Sequence, residues 1–205
     1  MDLYYAPGAC SLAPHGVARE AGIDLSLQKV DMANHRTESG DDYYRINPKG
    51  AVPTLRLDDG RVLTEGPIIV QYLCDLAARE DLMPAAGTFE RYRVMEWQNY
   101  ITSELHKSYT PLFGNSVDET AKAALRGVIQ EKYRWLDEQL PSRGYITGDT
   151  FTGADAYLFV VSSWAPHVAV DNSDCSRLQA YMERIAARPA VQAAMKAEGL
   201  IASEE

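Results

Sequence analysis

Long apolar runs are absent from this chain: no stretch approaches the roughly 20 residues that a membrane-spanning helix requires. Positive charge is also scarce. Lysine and arginine total 20 against 29 aspartates and glutamates, a formal net charge of −9. That balance argues against nucleic acid or an anionic membrane as partner, because both attract basic surfaces. An anionic ligand must therefore be drawn by local donors. Cysteine occurs three times, at Cys10, Cys74 and Cys175, with no even framework and no close pair. There is no Cys-x-x-Cys and no His-Glu-x-x-His, so no metal is expected. There is no Gly-x-Gly-x-x-Gly and no phosphate-binding loop, so no nucleotide cofactor is expected. Met1-Asp2-Leu3 lacks the basic and apolar regions of a secretory signal. A reducing cytoplasm is the expected location, and the thiols stay free there.

What remains is ordinary globular composition, 46% hydrophobic over 205 residues. That length holds one large domain or two small ones. The pattern divides near residue 80, giving a first unit over 1–80 and a second over 87–205. In the first unit, short strands at Leu3–Tyr5 and Leu25–Met32 flank a helix from Ser11 to Ala21 that ends at Gly22. Leu55–Leu57 and Val62–Leu63 flank Asp58-Asp59-Gly60-Arg61, a hairpin signal. From Pro67, Ile69, Tyr72, Leu73 and Leu76 form one helical stripe. The order β-α-β then β-β-α predicts a mixed four-stranded sheet, with one parallel and one antiparallel connection.

The second unit shows no period-2 run and reads as all helix. One helix spans Phe89–Leu112. Another spans Asp118–Leu140, with Ala121, Leu125, Val128, Trp135 and Leu136 assigned to its apolar side. Thr152-Gly153-Ala154-Asp155 has the form of a capping box, and the apolar run from Ala156 to Trp164 predicts the buried centre of this half. Two shorter helices close the chain.

Three local features point to chemistry. Pro53 removes a backbone donor and constrains Val52 to an extended shape just before a strand. The amide and carbonyl of Val52 are then open to an extended peptide guest. Glu65-Gly66-Pro67 opens a helix, whose unpaired first N–H groups attract a carboxylate. Cys10 stands at the entry to a helix, where the local dipole favours a thiolate. The competing reading of Cys10 is a small buried hydrophobe. On the long helix, Val94, Trp97, Ile101, Leu105 and Leu112 share a core face. Glu96, Asn99, Ser103, His106, Lys107 and Thr110 share the other. Asn, Ser and His are middling helix formers, so this face suits a lined cleft better than plain solvent. Among the four histidines, His106 is the best candidate. His15 is assigned to packing or solvent, and His167 to the core.

Five segments taken together resemble the glutathione S-transferases, and the bacterial beta class most closely. They are Tyr4–Leu12, Asn47–Pro53, Leu63–Gly66, Ser103–Lys107 and Phe151–Phe159. The resemblance runs essentially end to end. It implies a thioredoxin-like first domain, an all-α second domain carrying the electrophile side, and glutathione as co-substrate. It implies catalytic roles for Cys10 and His106. It assigns glutathione to Cys10, His35, Val52, Pro53, Glu65, Gly66, Asn99, Ser103, Glu104, His106 and Lys107. Asn99 and Glu104 are then the contacts expected across a homodimer. His35 departs from the pattern, since the beta class usually has a lysine there. The implied reaction is attack of the glutathione thiolate on a small hydrophobic electrophile, with thiol–disulfide exchange through Cys10 as a second capability. Three alternatives stay open: a mainly glutathione-dependent reductase or peroxidase, a degradative enzyme that removes halide from an aromatic or opens an ether with glutathione, and a non-catalytic ligand- or protein-binding member of the fold.

Overall fold

The computed structural model describes residues 1–202. Strand β1 (Asp2–Tyr5) leads through α1 (Leu12–Ala21) to β2 (Ser26–Asp31), which pairs parallel to β1. Strand β3 (Arg36–Thr37) folds back on β2, and a 3-10 turn follows at Tyr43–Arg45. Strands β4 (Thr54–Arg56) and β5 (Val62–Thr64) form the hairpin, and α2 (Gly66–Leu76) closes the unit. The sheet order is β3-β2-β1-β4-β5. It is therefore mixed as expected, but it has five strands where four were expected. The fifth, β3, is two residues long, too short to carry any periodic pattern. Gly22 ends α1 with φ 71°, a left-handed conformation that glycine adopts without a side-chain clash.

The helical half begins with α3 (Phe89–Tyr100), capped by the Thr88 hydroxyl. The expected single helix to Leu112 is interrupted. A π-helical turn covers Ile101–His106 before α4 (Lys107–Phe113) continues. Two local causes weaken the regular ladder here. Thr102, Ser103 and Ser108 each donate a hydroxyl to the carbonyl four residues back. Pro111 has no N–H to offer the turn behind it. The core face nevertheless holds, for Val94, Trp97, Ile101, Leu105 and Leu112 are all buried.

Helix α5 (Glu119–Gln139) keeps part of its expected apolar side, with Leu136 buried and Leu125 packed against the core, but not all of it. Its buried stripe is Ile129, Tyr133 and Leu136, whereas Val128 and Trp135 are exposed. Helix α6 (Gly153–Ser162) is buried along its whole length. Its capping box is present: Asp155 accepts from the Thr152 amide and hydroxyl, and also from the Ile146 amide and the Tyr181 hydroxyl. A 3-10 turn (Ala165–Val168), α7 (Ser176–Ala186) and α8 (Pro189–Ala197) complete the chain. One large apolar cluster joins Leu12 and Val17 of α1 and Val70 and Cys74 of α2 to the helical half. Each fully buried Leu or Val in it contributes about 1.5–3 kcal/mol of transfer free energy. No helix among the described residues is long and apolar enough to cross a membrane.

Candidate active site

The turn between β1 and α1 places Cys10 at the seam between the two halves. Ser11 shapes this turn: its buried hydroxyl donates to the Ala6 carbonyl and accepts from the Ala6 amide, both at 3.2 Å. Gly8 is held from the helical half at both of its backbone groups. Its N–H donates to Glu198 at 3.0 Å, and its carbonyl accepts from the Trp164 indole at 2.9 Å. Glu198 also contacts the buried His15 ring at 2.9 Å. His15 is therefore core, one of the two roles expected for it.

Cys10 is half-buried, and its Sγ–H donates to the Val52 carbonyl at 3.2 Å. The Val52–Pro53 bond is cis. The Val52 carbonyl is thus engaged by the thiol and not open as the sequence suggests, although a carbonyl has a second lone pair. Burial pushes the Cys10 thiol up to about 12. Glu65 reinforces that shift, while Lys107 and the amides of Cys10 and Ser11 oppose it. Here desolvation outweighs the helix terminus, so the thiol form is favoured over the dipole-stabilised thiolate that the sequence suggests. Iodoacetamide should therefore modify Cys10 at pH 7 at least ~10-fold more slowly than free cysteine. The rate should still be climbing near about pH 9.5, followed by peptide mapping. A plateau below that pH would show a lower thiol pKa.

His106 leaves the π-helical turn and enters the same cavity as Cys10, which has a volume of about 780 Å³. Its ring packs against Trp164, centroids 4.8 Å apart. Burial, aided by Lys107 and opposed by Glu65, pushes the imidazole down to about 4. His106 is accordingly neutral at pH 7. The cavity walls are largely apolar, with Leu12, Met32, Phe113, Phe159 and Trp164 among them. His167 also lines it and is exposed on the 3-10 turn after α6, which corrects its assignment to the core. Tyr109 does not line the cavity; it is fully buried, and its hydroxyl contacts that of Tyr133 at 2.8 Å. Tyr5 is buried and is not among the lining residues.

The glutathione-assigned residues divide into two groups. Val52 is bonded to Cys10, and Glu65 and Lys107 act electrostatically on both Cys10 and His106. Gly66 opens α2 against Pro53, and Glu65 precedes it with φ 70° and an ion pair to Lys49 at 2.5 Å. His35, with φ 50°, packs against Tyr44 with the rings tilted at 36° and centroids 4.5 Å apart, and lies beside Gly50. Its Nδ1 is buried without a partner. Asn99, Ser103 and Glu104 are exposed, and of all the glutathione-assigned residues only Cys10 and His106 line the cavity. Glu104 is engaged by Lys132 at 2.8 Å, which holds its carboxyl below the usual range. Sequence reasoning missed Lys49, Lys132, Glu198 and Tyr157. Lys49 and Tyr157 carry a visible signal, their places in Asn47–Pro53 and Phe151–Phe159; Lys132 and Glu198 carry none. No group of three or more metal-ligating side chains occurs among the described residues.

A thioredoxin-like sheet joined to a helical bundle, with a cysteine at the first helix and an apolar cavity at the seam, defines the glutathione transferase class of fold. The family model for the glutathione S-transferase N-terminal domain matches residues 8–76, and that for the C-terminal domain matches residues 87–189. The chain is 46% identical over 200 residues to glutathione S-transferase GstA of Escherichia coli O157:H7, covering 98% of this chain and all of that one. A bacterial beta-class glutathione S-transferase from Sphingomonas chungbukensis superposes with a TM-score of 0.94 at 44% identity, over 98% of this chain and all of the other. A sphingomonad glutathione S-transferase complexed with glutathione gives 0.93 at 43% identity, with the same coverage. The chain belongs to the glutathione S-transferase family, and these structural neighbours are bacterial members of it.

Proposed function

We propose that the protein conjugates the glutathione thiolate to small hydrophobic electrophiles. One observation carries this reading: Cys10 and His106 face a single, mostly apolar cavity of about 780 Å³ beside the Val52 and Glu65-Gly66 segment. Residues 1–80 would hold the tripeptide and residues 87–205 the electrophile. The cysteinyl backbone of glutathione would lie along Val52 and Pro53. Glu65 would accept its ammonium group, exchanging Lys49 for it, and Gly66 would donate to the γ-glutamyl carboxylate. His35 and Lys107 supply further donors. In a neutral state, His106 stabilises the thiolate by hydrogen bonding and not by charge.

A homodimer is part of this reading. Ile68, Leu76, Phe89 and Tyr92 expose apolar side chains on α2 and α3, a surface suited to a second copy. Asn99, Ser103 and Glu104 are exposed, as contacts made across such an interface would be before a second copy binds. The cytoplasm suits the three free thiols.

Retention on immobilised glutathione, followed by conjugation of a reactive aryl halide, tests the proposal. Retention with conjugation is the expected result. Retention without conjugation would favour a binding role. The high pKa of Cys10 speaks against a mainly reductive enzyme, since the thiolate is the nucleophile in exchange.

A further inference from the structure

We propose that Tyr157 is a positioning residue that fixes His106 as an Nε2–H donor aimed into the cavity. The inference rests on the conjugation reading above and deepens it. Tyr157 sits on α6, is buried, and does not line the cavity. Its hydroxyl lies 2.6 Å from His106 Nδ1, behind the imidazole. The Trp164 ring also meets the imidazole edge-on, centroids 4.8 Å apart, so His106 packs against two aromatic side chains.

The proton count decides the tautomer. Thr102 has one hydroxyl hydrogen, and the Gln98 carbonyl takes it at 2.8 Å. Thr102 also lies 3.5 Å from the Tyr157 hydroxyl, in the geometry of a donor to it and not of an acceptor. The Tyr157 hydrogen is thus left to His106 Nδ1 at 2.6 Å. Burial raises the phenol pKa and keeps it a donor. A neutral imidazole whose Nδ1 accepts a hydrogen bond must carry its own proton on Nε2. The ring then faces the cavity as a donor, which can stabilise a thiolate but cannot remove a proton from a thiol. The opposite tautomer would present a lone pair and act as a base. The π-helical turn contributes because it carries both Thr102 and His106.

Three measurements on the full-length protein test this. Nitrogen-15 spectra of the imidazole should show protonated Nε2 and unprotonated Nδ1 in His106. Tyr157→Phe, which removes one oxygen and keeps the ring, should convert this to a mixture of tautomers. It should also lower kcat for aryl-halide conjugation ~10-fold, the scale of one lost hydrogen bond of about 1.4 kcal/mol, with KM for glutathione within about twofold. His106→Gln, whose amide N–H stands near the Nε2 position, should keep conjugation within ~10-fold of wild type, whereas His106→Ala should lose ~100-fold. An unchanged tautomer in Tyr157→Phe, or Gln as inactive as Ala, overturns the proposal. Wild-type protein with no conjugation at all would overturn the functional reading instead and leave the tautomer assignment standing on its spectra.

Discussion

Asp155→Ala should cost about 4 kcal/mol or more of stability and lower the thermal midpoint by on the order of 10 °C. The side chain is fully buried and accepts four hydrogen bonds, from the amides of Ile146 and Thr152 and the hydroxyls of Thr152 and Tyr181. Alanine leaves those donors without a partner in the most buried helix of the molecule, and each such buried group costs about 1–3 kcal/mol. The loss is also spread over several elements: the loop at Ile146, the start of α6 and the middle of α7 all hang on one carboxylate. Asp155→Asn keeps one acceptor oxygen and should fall between the two. Arg61→Ala, which removes the exposed pair with Asp59, should leave the midpoint unchanged within error. Thermal unfolding followed by circular dichroism measures all three. A midpoint for Asp155→Ala within about 3 °C of wild type would mean that water repairs the site, contrary to its burial.

Cys10→Ala should separate two activities. Mixed-disulfide formation with glutathione should disappear, because no other thiol faces the cavity; Cys74 and Cys175 are buried elsewhere. Conjugation should fall by no more than ~10-fold. A thiol with a pKa near 12 contributes at most one S–H donor to a bound thiolate, about 1 kcal/mol. Mass spectrometry after oxidised glutathione reads the first effect, and initial rates with an aryl halide read the second. Loss of both to the same extent would show that Cys10 acts as an ionised group during conjugation, and that its environment changes on ligand binding.

Much of this could be read from the residues. The β-α-β and β-β-α order needs only strand and turn signals, and Gly22, Pro53 and the Thr152–Asp155 box mark their positions with one residue each. Cys10 and His106 are separated by most of a hundred residues, yet motif and helix face bring them to one cavity. What stayed hidden depends on three-dimensional packing. A tyrosine in an apolar helix looks like filler, and only the path of α6 behind the π-helical turn points the Tyr157 hydroxyl at His106. Strand β3 is too short to have a period. Helix α5 offers two apolar stripes, and the choice of Ile129, Tyr133 and Leu136 over Val128 and Trp135 is made by its neighbours. The Cys10 thiol shows the same limit in electrostatics: the helix entry is visible in sequence, but the degree of desolvation that outweighs it is not.

The grip on Gly8 gives the chain's far end a say in where the sulfur sits. Glu198 and Trp164 reach back across more than a hundred and fifty positions to hold the peptide groups on both sides of Gly8, two residues before Cys10. Removing the segment that carries Glu198 would spare every strand of the sheet and still take one of the two bonds that moor the Cys10 loop to the helices.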